Sequence, residues 1–210
     1  MSRRSEQPSA LPDAADREPS DGELVNGARN GRAAAFDQLI ERYQRTATSV
    51  AYRLVGNLHD ALEVCQDAFI RAYRNLDSLE DVERFRSWFL RIVTNLSLNF
   101  RRDRRVGPRR VSFEDCIADG DEPGSERLAS RSAAERPGAR LAAEELSGIV
   151  QQAMSELPES QRTALVLFSI EQLPQREVAS ILGCSVEAVK WHVFQARRKL
   201  RERLSEYLEE

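Results

Sequence analysis

The residues best suited to chemistry gather in VKWHVFQARRKL, residues 189–200. Lys190, Arg197, Arg198 and Lys199, with Arg201 just beyond, outnumber the one nearby acid, Glu187. Ammonium and guanidinium groups at this density bind phosphate, and an amide such as Gln195 can hydrogen-bond a base edge. Trp191 and Phe194 add carbon surface of the kind that meets a thymine methyl. A second basic run, residues 101–110, holds six arginines against Asp103. This is recognition chemistry, not bond making. No Ser-His-Asp order, glycine-rich phosphate loop or metal cluster accompanies it, and Asp60 with Glu63 reads as a helix start, not a catalytic pair. Cys65, Cys116, Cys184, His59 and His192 are too scattered for the close ligand pairs of structural zinc. The chain is expected to be no enzyme, with no metal and no cofactor.

The elements that must position these groups are helices. Long runs of helix formers, with few β-branched stretches, predict an all-α fold. Across residues 33–55, Phe36, Leu39, Ile40, Tyr43, Ala47, Val50 and Leu54 recur on one helical face, and Gly56-Asn57 ends it. Asp60 is expected to cap the next helix in a capping box with Glu63; that helix carries Val64, Cys65, Ala68, Phe69, Ala72 and Leu76. Residues 77–83 are a polar connector. A further helix starts near Phe85 with Trp88, Phe89, Ile92, Val93 and Leu96 on one seam, which places Trp88 and Phe89 in the core rather than on a base-stacking surface. With a shorter helix near residues 23–28, these make a first bundle over residues 21–106.

Residues 1–20, rich in Ser, Pro and Asp, are expected to be a disordered tail. Gly107-Pro108 opens a stretch without periodicity that contains Gly120, Pro123, Gly124, Pro137 and Gly138. Residues 107–140 are therefore assigned to a flexible linker between two small helical domains, the second spanning residues 141–208. That domain ends as helix, tight turn and longer helix. Val178, Ala179, Ile181 and Leu182 line the first helix, Gly183 closes it, and Ser185 caps the second. Two helices joined by a glycine turn form the helix-turn-helix, whose second helix enters the DNA major groove. At about 100° per residue, Val186, Val189, Val193, Ala196, Leu200 and Leu204 form a buried seam. Trp191 and Arg198 fall opposite it, Glu187, Phe194 and Gln195 flank them, and Lys190 and Arg197 lie on one shoulder. Trp191 docks on a neighbouring helix, is simply an exposed ring, or meets DNA.

Charge narrows the choice of partner. The 210 residues carry 31 Lys and Arg against 34 Asp and Glu, a net of −3, which disfavours a free-standing nucleic-acid binder. Local basic surfaces inside an acidic chain predict DNA contact that is weak or masked without a second partner. An odd, scattered cysteine set fits a reducing cytoplasm. The N-terminus lacks an apolar signal segment, and no run approaches the roughly 20 apolar residues of a membrane span, so the expected location is cytoplasmic.

Residues 59–105 resemble region 2 of bacterial sigma factors of the extracytoplasmic-function type. The matching residues are Asp60, Ala61, Glu63, Val64, Gln66, Asp67, Phe69, Ala72, Tyr73 and Arg74, then Phe85, Trp88, Phe89, Ile92, Asn95, Arg101 and Arg102. LPESQRTALVLFSIEQLPQREVASILGCSVEAVKWHVFQARRKLRERL is similar to region 4. The two blocks occur in the family's order across about residues 21–204. The resemblance implies that Asp60, Glu63, Gln66, Asp67, Phe69, Arg71 and Arg74 dock on the coiled coil of the largest subunit of core RNA polymerase. It implies that Asp77, Ser78, Asn95, Asn99, Arg101 and Arg102 read and open the −10 DNA, the connector holding an extruded base. Ser185, Glu187, Lys190, Trp191, Phe194, Gln195, Arg197 and Arg198 would then read the −35 duplex. Implied partners are core polymerase, through its coiled coil and flap, promoter DNA, and an anti-sigma factor. The segment 107–140, acidic from residue 114 to 126, either threads the polymerase toward the RNA exit path or is a plain tether.

The chain departs from the family pattern at four places. Leu62 stands where an acid is usual, Asn99 where Asp is usual, Trp191-His192 for Ser-Arg, and Gln195 for Arg. The last two imply an altered −35 preference. The competing reading is a conventional helix-turn-helix regulator whose first bundle senses a signal or dimerises; it predicts tight duplex binding without polymerase.

Overall fold

A computed structural model of the chain describes residues 17–106 and 137–208. The described residues hold helices and turns and no strand. The first half comprises α1 (Asp21–Arg29), α2 (Ala33–Val55), α3 (Leu58–Arg74) and α4 (Phe85–Val106), with single 3-10 turns at Leu76–Ser78 and Val82–Arg84 between the last two. The second comprises α5 (Pro137–Ser155), α6 (Glu159–Leu165), a π turn at Val166–Ile170, α7 (Gln175–Leu182) and α8 (Val186–Leu208). The expected tail up to residue 16, the linker from 107 to 136 and Cys116 lie outside the described residues.

α1 starts where its sequence can satisfy its own free amides. The Ser20 hydroxyl accepts from the Glu23 N–H at 3.2 Å, and the Glu23 carboxylate accepts from the Ser20 N–H at 2.7 Å. α2 is the central element, packed on α1, α3 and α4. Its apolar face supplies Leu39, Val50 and Leu54 to a dry core shared with Val25, Phe85, Phe89, Leu90 and Val93. It ends on Gly56, whose φ of 91° needs a residue without Cβ.

Two expectations about helix ends are corrected. Asp60 does not cap α3. Asn57 does, its side-chain oxygen accepting from the Asp60 N–H at 3.2 Å, because Asn serves as well as Asp at that position. Asp60 instead lies within the first turn, buried, with its carboxylate paired to Arg104 of α4. Residues 137–140, assigned to the linker, are helical: α5 opens on Pro137, where the missing N–H costs nothing and the fixed φ suits the first turn.

In the second half, Ala164, Val166, Leu167, Val178, Val189 and Ala196 are the fully buried core. Gly183 takes φ 64° at the end of α7, and Ser185 accepts from the Ala188 N–H at 3.1 Å to start α8, as the helix-turn-helix pattern predicts. The two halves also touch. Arg86 of α4 donates to the Glu171 carbonyl at 2.8 Å and to its carboxylate at 3.3 Å, Arg84 lies 3.8 Å from Glu177, and Gln151 donates to the Tyr52 carbonyl at 3.1 Å. Burial pushes the Glu171 carboxyl above its ordinary range, and Arg86 and Arg53 offset only part of that.

Asn57→Ala is expected to cost about 1 kcal/mol of stability in urea unfolding, whereas Glu63→Ala should change it by less than about 0.5 kcal/mol. Because the fold holds the Glu171 proton more tightly than the unfolded chain does, its contribution is greatest in acid and is lost as pH rises through the raised titration. The stability difference between the parent and Glu171→Gln should therefore fall with rising pH; a difference that grows would contradict the burial argument.

Candidate nucleic-acid interface

The long C-terminal helix divides its residues cleanly. Val189, Val193 and Ala196 are buried against α6 and α7. On the opposite side Trp191 is 54% exposed and Phe194 62% exposed, values far above those of aromatics that serve a core. Trp191 touches only the neighbouring His192 ring, edge-on at 5.2 Å, among the ring contacts of the described residues. Ser185, Glu187, Lys190, Arg197 and Arg198 are also exposed, while Gln195 is half-buried. Two of the cations are partly engaged: Arg197 donates to the Ser169 hydroxyl at 3.0 Å, and Arg198 lies 3.7 Å from Glu202. An open groove of about 220 Å³ is lined by Phe168, Val189, Val193 and Phe194 together with Lys190 and Arg197. The face thus offers cations for a phosphate backbone on either side of exposed rings.

A second polar face runs along α4. Asn95, Asn99 and Arg102 are exposed and, at spacings of four and three, share one side. Arg102 donates to the Asn99 side-chain oxygen. Arg101 is half-buried and does not join this line. Arg104 turns to Asp60, its guanidinium 5.6 Å from the centre of the Phe100 ring. Trp88 is half-buried against Phe85 at 5.9 Å, and Phe89 is fully buried, so both serve the core.

The connector before α4 is pinned. Leu76 and Leu79 insert into the core, leaving Asp77 and Ser78 exposed between them. The Ser78 hydroxyl donates to the Asn75 carbonyl at 2.7 Å. Arg29 of α1 donates to the Leu76 carbonyl at 2.8 Å and also to the Leu79 carbonyl. Sequence reasoning missed Arg29; nothing in its neighbourhood marks it, because its partners lie 47 and 50 residues away.

On α3, Glu63, Gln66, Asp67, Arg71 and Arg74 are exposed, but Asp60 and Phe69 are buried. Phe69 stacks in the core on Phe89 at 4.6 Å and supports the face from beneath. The apolar part of the exposed face comes from residues not singled out as contacts: Leu62, Ile70 and Tyr73 are 46%, 48% and 54% exposed. With Gln66 they follow one another at spacings of four, four and three, a stripe that counting along the helix could have found. A charged face with an exposed apolar stripe is the usual composition of a protein-docking surface.

Residues 39–107 match the family model for sigma-70 region 2, and residues 147–200 match sigma-70 region 4. SigW of Bacillus subtilis, an ECF RNA polymerase sigma factor, is 33% identical over 86% of this chain and 94% of its own length. Among solved structures, CnrH in complex with the cytosolic domain of CnrY is 27% identical and superposes with a TM-score of 0.61 over 88% of this chain and 97% of its own. The sigma factor RpoE of Bartonella quintana, solved with the anti-sigma factor NepR, shares the fold at 23% identity and a TM-score of 0.57, over 81% and 96% of the two chains. Two region models in order, a relative matched along nearly its whole length, and the separate faces on α3, α4 and α8 converge: the chain belongs to the extracytoplasmic-function sigma factors, which direct bacterial RNA polymerase to start transcription at particular promoters.

Proposed function

We propose that the three exposed faces divide the work of initiation. The α3 face, with Glu63, Gln66, Asp67, Arg71 and Arg74 around Leu62, Ile70 and Tyr73, docks on the coiled coil of core polymerase. The α4 line of Asn95, Asn99 and Arg102, with Arg101 beside it and Asp77 and Ser78 ahead of it, engages the −10 strand as it unpairs. Opening DNA needs cations for the backbone and fixed polar groups for unstacked bases, and this line and the connector have that make-up. The α8 face carrying Ser185, Glu187, Lys190, Trp191, Phe194, Gln195, Arg197 and Arg198 enters the −35 major groove, while region 4 also meets the polymerase flap. Residues 21–106 and 141–208 are the working units. An anti-sigma factor is the expected inhibitor, and the site of action is the cytoplasm. The chain itself performs no bond chemistry; that belongs to the polymerase.

The observation that carries the −35 reading is the pair of rings, Trp191 and Phe194, left in solvent opposite a buried seam and beside cations. Burial of carbon surface against bases gives those rings a purpose that folding does not.

Purified core polymerase plus this protein is expected to yield specific run-off transcripts from a genomic promoter pool, with little duplex binding in gel shifts lacking core. Tight, specific duplex binding without core, and no transcripts, would support the conventional regulator instead. Trp191→Ser should leave thermal stability nearly unchanged yet alter −35 selectivity by about 1–3 kcal/mol at the contacted base pair. Lys190→Ala should weaken all duplexes alike and reduce the salt slope by about one unit. Unchanged selectivity in Trp191→Ser would leave that ring as surface only.

A further inference from the structure

We propose that Arg29 is a positioning residue for promoter opening: it holds the connector between α3 and α4 in the shape that presents Asp77 and Ser78 to the unpaired −10 strand. The proposal rests on the connector role given above, and no residue match assigns Arg29 any part in it.

Three features place Arg29 in this role. The tip of the connector is one 3-10 turn, Leu76–Ser78, whose Leu76 carbonyl accepts from the Leu79 N–H at 3.2 Å and has a second lone pair to offer. Arg29 joins both ends of that turn at once. Its guanidinium reaches the Leu76 carbonyl through two nitrogens, at 2.8 and 3.3 Å, and reaches the Leu79 carbonyl as well. The same Nε lies 3.9 Å from the Asp77 carboxylate. Only arginine presents several donors in a fixed plane that can span such a set.

The arrangement also separates anchoring from presentation. Leu76 and Leu79, either side of the tip, are 4% and 5% exposed, whereas the Asp77 side chain is 94% exposed. Hydrophobic anchors fix where the connector sits, and the Ser78 N–H to the Asn75 carbonyl at 2.9 Å and the Leu79 N–H to the Leu76 carbonyl at 3.2 Å close its turn. The two Arg29 contacts tie that turn to α1, because a rotation of the Asp77–Ser78 peptides would break at least one. The Arg29 side chain is only 24% exposed, so it acts on the tip from inside and is not itself offered to DNA.

The test uses full-length chain bound to core polymerase on a promoter duplex with a fluorescent base analogue in the −10 element. Arg29→Met should reduce the open fraction roughly three- to tenfold, the effect of about one lost hydrogen bond, with core affinity and −35 duplex binding unchanged. Arg29→Lys should fall between, since one ammonium cannot span both carbonyls. The double variant Asp77→Ala/Ser78→Ala should reduce opening too, and adding Arg29→Met to it should cost little more, because the residues act as one unit. Normal opening in Arg29→Met, or a loss matched by equal losses in core affinity and melting temperature, would overturn the positioning role. Full additivity with the double variant would do the same. If the double variant opens DNA normally, the connector reading itself fails, and the Arg29 proposal with it.

Discussion

The placement of α4 depends on one aromatic cluster. Phe85 and Phe89 stack at 5.7 Å, Phe89 meets Phe69 at 4.6 Å, and Tyr43 closes on Phe85 at 5.4 Å. These rings join α2, α3 and α4 at a single point, and each pair adds directional preference to its buried area. Tyr43 is tied further, its hydroxyl donating to Asp21, and burial with that carboxylate beside it pushes the phenol well above its usual range. The angle of α4 decides where Asn95, Asn99 and Arg102 point, where the connector must end, and where Arg86 meets Glu171. A shift of this knot would move the exposed faces of α3 and α4 together.

Around that knot each functional helix does two jobs with opposite sides. α3 gives Ala61, Val64, Ala68 and Phe69 to the core and keeps Leu62, Gln66, Ile70 and Tyr73 outside. α8 gives Val189, Val193 and Ala196 inward and keeps Trp191 and Phe194 outside. Apolar residues are thus deployed on both faces. Those on the outer face leave about half of their surface in solvent, even where Tyr73 meets Phe36 at 4.9 Å, and a partner would bury the rest. Polymerase and DNA can cover them, which gives a physical reason for a small protein to retain exposed rings and leucines.

Periodicity made the elements legible. The bounds of α2, the start of α4 at Phe85, the Gly183 turn and the Ser185 cap all follow from local pattern, because each is set by residues within a few positions of one another. What was not legible depended on distance in sequence. Asp60 looks like a cap until Arg104, 44 residues on, claims its carboxylate. Arg162 lies in a run of charged and polar residues yet is 2% exposed, since such a run says nothing about which neighbour covers it. The exposed stripe on α3 was readable in principle; it was obscured because Leu62 registers as a departure from a family pattern before it registers as exposed carbon. Phe69 shows the reverse: a matching motif residue whose match reflects packing.

Net charge disfavours a free-standing DNA binder but does not locate the basic faces. A sum of −3 treats all acids as equal competitors of the basic faces. In the folded chain several acids are already committed: Asp60 to Arg104, Asp21 to Arg42, Glu171 to Arg86 and Glu156 to Arg203. Such pairs cancel locally and contribute little field at a few ångströms beyond the surface, where screening takes hold within about 8–10 Å. The field at the exposed α8 face is set by Lys190, Arg197 and Arg198, the last partly offset by Glu202, with Glu187 nearby. Local pairing, and not the total, therefore determines which face can approach a phosphate backbone.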